Sequence, residues 1–210
     1  MPLSKIQAES MNLADTYAFT GTVSGTPSGL TKISTTVASN AANVSFTGLD
    51  TTSTYSMYKI VMDNVTAQSD NAALFYARFG IGSTPTYNSS SNYNTVFVNG
   101  FSNVAGLQQQ GAGGAAQMWL AANSSSGYYM PGDTFEFLSG TMDLFRMGDS
   151  NHPPQTNWFL GYPISGNVQC TAFGTCTFVE SSEIVNGTAI QLYMSTGNIN
   201  GTFTLYGVKS

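Results

Sequence analysis

From Asn43 onward, apolar and polar residues alternate with period two in short runs separated by turn-forming residues, the pattern of half-buried strands. Tyr58, Ile60 and Met62 alternate with Lys59, Val61 and Asp63 within Tyr55 to Val65. Phe75, Ala77, Phe79 and Ile81 share one face of Leu74 to Ile81, with Tyr76 and Arg78 on the other. Further runs cover Asn94 to Val98, Gln117 to Ala121, Thr134 to Leu138, Met142 to Met147, Trp158 to Ile164 and Thr171 to Val179. In the fifth of these eight, Phe135 and Phe137 are expected inside and Glu136 outside. At the end of the chain, Ile190, Leu192 and Met194 precede the turn Gly197 to Gly201, and Phe203 and Leu205 follow it. Apolar alternation on both sides of a Gly/Asn turn predicts a closing β-hairpin. Ile60, Phe135, Phe137, Ile190, Leu192, Phe203 and Leu205 are the expected core.

About ten short strands without helical periodicity define an all-β chain, a jelly-roll-like antiparallel β-sandwich. Residues 1–35 are set apart as an extended N-terminal arm, and 36–210 form the sandwich. In the arm, Leu3, Ile6, Met11 and Leu13 fit a helical face loosely, so one or two turns at most are expected there. Tyr17 and Phe19 begin a strand-like alternation that the run Gly25 to Gly29 ends. That stretch reads either as an attachment arm or as the first strand of the sandwich.

Composition narrows the function. Charged residues make up 8% of the 210 positions, against about 25% in ordinary domains. Ser, Thr and Asn supply 67 residues, so hydroxyls and amides keep the chain hydrated. Thirteen Phe and eleven Tyr suffice for a core. A net charge of −5 with six Lys and Arg argues against nucleic-acid and anionic-membrane surfaces, which need cations. No apolar run reaches the length of a membrane-spanning helix, and MPLSKIQAES lacks the apolar stretch of a signal peptide. Assembly in a cytoplasm is therefore expected.

Catalytic and metal-binding patterns are sparse. His152, the single histidine, sits in GDSNHPPQTN without a GxSxG elbow elsewhere, which favours a surface-loop role. Asp133, Glu136 and Asp143 do not form the paired carboxylates of a glycosidase, and no phosphate cradle occurs. Asp149 and Asn151, like Asp70 and Asn71, lack calcium-loop spacing and suit Asx turns. No cofactor is expected. Cys170 and Cys176 flank Phe173 and Gly174: on a hairpin they would be either free thiols or a small-loop disulfide. Tyr87, Tyr93 and Trp158 stand beside Asn, and Tyr128 beside Tyr129, in or next to expected loops. Aromatic faces beside amides suit a sugar, and equally the rim of a sandwich or a subunit contact. LQQQGAGGAAQ reads as a mobile loop, or as a close backbone approach around a symmetry axis.

The ending GTFTLYGVK resembles the terminal strand of a module found in tail fibres, head fibres and capsid-decorating proteins of tailed bacteriophages. AFTGTV in the arm is similar to the segment that precedes that module. GLDTTSTYSMYKIVMDNVTAQSDNAALFYARFG is similar in outline to its Leu-Asp turn, Tyr-rich strand, polar turn and second strand. Thr84 to Asn167 carries no matching motif. The resemblance implies a non-enzymatic virion protein, homotrimeric, joined to other virion proteins through Leu3, Ile6, Met11, Leu13, Tyr17 and Phe19, with a host-surface glycan as a further partner. The reading from a different class is a carbohydrate-binding module or adhesin that uses the Tyr/Asn-rich loops.

Overall fold

The computed structural model describes residues 29–51, 54–68, 73–103, 105–121, 129–130, 137–164, 168–179 and 186–209. Every regular element among them is a β-strand. In order these are β1 (Leu30–Ala41), β2 (Val44–Thr47), β3 (Met57–Ala67), β4 (Phe75–Ile81), β5 (Thr86–Tyr87), β6 (Tyr93–Phe101) and β7 (Leu107–Ala115). They continue as β8 (Met118–Ala121), β9 (Leu138–Phe145), β10 (Gln155–Ile164), β11 (Val168–Phe178), β12 (Gly187–Met194) and β13 (Ile199–Val208).

All pairings are antiparallel, and the strands form two sheets. The larger runs β1-β13-β3-β9-β10-β11-β6-β7; the smaller runs β2-β12-β4-β5, with β8 also on β4. Within this lies a jelly roll. The quartets β1-β13-β3-β9 and β2-β12-β4-β8 face each other, and the chain changes sheet at every step between them except from β4 to β8. The insertions β6-β7 and β10-β11 widen the first quartet to eight strands.

The core forms where the alternating faces meet. On β3, Tyr58, Ile60, Met62 and Val65 point inward; on β4, Phe75, Ala77 and Phe79 do so. The widened half is filled by Tyr93 and Phe97 of β6, Trp158, Leu160 and Tyr162 of β10, and Phe178 of β11. Phe79 crosses the gap to Tyr93 at 6.4 Å and to Phe178 at 6.0 Å between ring centroids. Gly174, paired with both Trp158 and Phe97, leaves room for the indole. A Cβ there would lie 2.5 Å from a ring carbon of Trp158.

Ile60, Ile190, Leu192, Phe203 and Leu205 are buried as their alternation predicts. Phe137 is not: it is 46% exposed just before β9, so an inward Phe137 is corrected. The strand starts only at Leu138, which is the buried residue. Phe135 lies outside the described residues.

The closing hairpin is also corrected. β12 belongs to the smaller sheet between β2 and β4, whereas β13 belongs to the larger between β1 and β3. The Gly197 turn thus passes the chain from one sheet to the other. The boundary at residue 35 falls inside β1, because Leu30 to Thr35 pair with Val208 to Thr204. LQQQGAGGA is not a loop but the edge strand β7, which pairs along β6.

Candidate functional site

On β10 and β11 the even-numbered residues point into the core, so the odd-numbered ones form the outer face of the larger sheet. Register places Val61, Thr141, Phe159, Phe173 and Val98 in one row across β3, β9, β10, β11 and β6. Phe159 is 59% exposed and Phe173 39%. The adjacent row, Ser139, Gly161, Thr171, Gly100 and Leu107, is small until Leu107, which is exposed at the edge. A ridge of phenylalanines therefore borders a trough. Its floor opens into a depression of about 380 Å³ beside Phe137, Gly161, Pro163, Gln169 and Thr171. Beyond the ridge, Val96, Val98, Phe173 and Thr175 line another of about 290 Å³. None of β6, β7, β10 or β11 carries a charged residue.

At the opposite edge of this sheet, Leu30, Ile33 and Val37 are exposed along β1 and make a second apolar stretch, interrupted by the exposed Lys32 and Thr35. Five strand spacings separate β1 from β11, about 24 Å at 4.8 Å each.

The outer face of the smaller sheet has different chemistry. Arg78 of β4 stands between Gln191 of β12, its register partner, and Gln117 before β8. Its guanidinium lies 4.8 Å from the Tyr193 ring centre and donates to Gln117 Oε1 at 3.3 Å. One pleat away, Tyr193, Tyr76 and Trp119 form a cross-strand aromatic row, with centroid separations of 5.7 and 6.1 Å. Burial pushes the Tyr193 hydroxyl up to about 12, against the opposing pull of Arg78, so it remains a neutral phenol at ordinary pH.

The described aromatics proposed for a sugar from the sequence, Tyr87, Tyr93, Tyr129 and Trp158, are all buried or partly buried. Tyr93 and Trp158 are buried, which corrects their assignment as glycan contacts. The Tyr93 hydroxyl accepts from the Phe79 N–H at 2.9 Å and donates to the Asn88 carbonyl at 3.0 Å. Tyr87 is half-buried, with its ring against Gly80, and Tyr129 is half-buried against the core. Tyr128 lies outside the described residues, as do the arm residues Leu3, Ile6, Met11, Leu13, Tyr17 and Phe19.

Cys170 and Cys176 are buried free thiols on one continuous strand, not the two arms of a hairpin. Six residues of strand separate them by about 20 Å, far beyond bridging distance. Desolvation pushes both thiols up to about 12. His152 is exposed and pairs with Asp149 at 2.8 Å. Asp149 Oδ1 accepts the Asn151 N–H at 2.7 Å, which is an Asx turn. That bond and the His152 contact hold the Asp149 carboxyl below the usual range. Among the described residues no three His, Cys, Asp or Glu side chains cluster to hold a metal ion.

Phe159, Phe173, Arg78 and Trp119 were not singled out by the sequence patterns, although a signal existed. In Asn157-Trp158-Phe159 a strand must place Trp158 and Phe159 on opposite faces, so one large aromatic had to face outward. Comparison with protein-family models, curated proteins and solved structures finds no match to this chain.

Proposed function

We propose that this protein is a structural protein of a tailed-bacteriophage virion, displayed on the particle as a fibre or capsid-decorating component and acting by assembly and binding, not catalysis. The observation that carries this reading is the pair of apolar patches on the larger sheet. A ring of identical subunits needs two different surfaces per copy that fit each other. Phe159, Phe173, Val96 and Leu107 supply one, and Leu30, Ile33 and Val37 the other. The occupant of the first patch is a second copy of this chain, and closure with three copies gives the homotrimer. The first patch carries no charge and the second a single cation, Lys32, which suits self-association of a chain at −5, because like charges opposed across an interface would repel. The phage assignment draws on the resemblance of GTFTLYGVK, now placed in β13, and of the Tyr-rich strand, now β3.

Light scattering on the eluting full-length protein tests the assembly, and proteomics of purified particles of the encoding phage tests the location. The expected results are a trimer that becomes monomeric in the folded double variant Phe159→Ser/Phe173→Ser, and the protein's presence in the particle. A monomeric wild-type protein, or a trimer indifferent to both substitutions, would refute the interface. Absence from the particle would refute the virion role.

A further inference from the structure

We infer that the outer face of the smaller sheet binds an acidic sugar, with Arg78 taking its carboxylate. This site is separate from the assembly patches and stands or falls independently of the virion assignment.

Arg78 is one of only two arginines in the chain, and it forms no ion pair among the described residues. Its guanidinium donates to Gln117 Oε1 and lies against the Tyr193 ring. Its Nε is buried without an acceptor. A buried guanidinium donor left unmet is costly, so the cluster calls for an oxygen-rich acceptor. A guanidinium fork meets a carboxylate through two parallel N–H···O bonds, which neutral groups cannot match.

The surroundings select a sugar over a simple anion. Ser45, Gln191 and Arg78 form a polar row, in which Gln191 Nε2 reaches the Ser45 hydroxyl at 3.4 Å. Beside it runs the aromatic row Tyr193, Tyr76 and Trp119. Ser45, Gln191, Tyr193 and Trp119 are all partly exposed. A pyranose uronic or sialic acid presents these features together: a carboxylate, hydroxyls for amides, and an apolar ring face for Trp119.

The test uses tryptophan fluorescence of the full-length protein, titrated with D-glucuronate and N-acetylneuraminate, with glucose and acetate as controls. Trp119 and Trp158 are the only tryptophans, and Trp158 is buried, so the response reports on Trp119. A saturable change is expected with at least one acidic sugar at a Kd of about 1 mM. Glucose and acetate should bind at least about tenfold more weakly, a difference of about 1.4 kcal/mol. Arg78→Lys should weaken binding and Arg78→Met abolish it. If Arg78→Met does not fold, Gln117→Leu and Trp119→Leu, with calorimetry for the latter, take its place. Equal binding of glucose, equal binding of acetate, no saturation with either acid, or binding unchanged in the folded variants would each overturn the inference.

Discussion

Trp158 of β10 donates its indole N–H to the Leu120 carbonyl oxygen of β8 at 2.9 Å, joining the two sheets at the base of the widened half. Trp158→Phe leaves that buried acceptor unmet and opens a cavity where the second ring of the indole lay. The expected loss is about 2–5 kcal/mol, read from denaturant midpoints. Acrylamide quenching of the native protein should then fall almost entirely on Trp119. Strong quenching of Trp158 in a Trp119→Phe variant would contradict its burial.

The two thiols should be inert while the protein is folded. A thiol reagent at pH 8 should label neither Cys170 nor Cys176 without denaturant and both with it, because burial raises both pKa values to about 12 and blocks access. Mass spectrometry after air oxidation should find no intramolecular disulfide in the folded chain.

Alkali should destabilise the fold from about pH 9 upward. Cys170, Cys176, Tyr93 and Tyr193 all have raised folded-state values, with burial as the largest cause. Their contribution is complete below the unfolded values of 9.0 for thiols and 10.0 for phenols. Above these the unfolded chain gives up protons that the folded chain retains, so stability falls as pH rises. Thermal midpoints measured from pH 8 to 11 should decline, the decline starting near pH 9.

Gly207 should tolerate no side chain. The Tyr55 ring lies flat against it, and a Cβ would sit 2.4 Å from a ring carbon. Gly207→Ala should cost about 1–3 kcal/mol through forced displacement of the ring. A variant with unchanged stability would mean that Tyr55 has free space to move into.

Truncation should distinguish residue 28 from residue 35. Removing residues 1–28 leaves β1 whole, and the sandwich should keep its melting temperature; under the proposed virion role it should also lose attachment to the particle. Removing 1–35 takes the β1 residues that pair with Thr204 to Val208, and the midpoint should fall by several degrees. Equal melting of the two would show that this half of β1 contributes nothing to the fold.

Alternation made β3, β10 and β13 readable, since each has one dry face and one wetter face, whereas β4 is buried on both and was legible from its run of Phe, Tyr and Ala. It could not show which sheet a strand joins, because β12 and β13 carry the same period whether they pair with each other or cross between layers. β7 was hidden for a different reason. Its Gln, Gly and Ala residues cover little core, and what holds it is the backbone pairing along β6. β1 showed weakly because most of its side chains are exposed and only Ala38 is buried. Tyr93 and Trp158 were misread because flanking Asn residues suggest loops, whereas their periodic neighbours Thr95, Phe97, Leu160 and Tyr162 place them inside. The Arg78 cluster was unreadable, because it joins β4, β8 and β12 and exists only once the strands are paired.

The position of β13 between β1 and β3 has a consequence for synthesis. Thr35 meets Thr204 across 169 positions of sequence, so β1 emerges from the ribosome long before its partner exists. Until β13 is made, β1 and the neighbouring side of β3 present open hydrogen-bonding edges that invite pairing with other nascent chains. Folding of so non-local a sheet belongs in the millisecond-to-second range, and its final step is insertion of the last strand between the first and third. Chains halted before β13 should therefore accumulate as aggregates or chaperone-bound species, and docking of β13 is the event that closes the larger sheet.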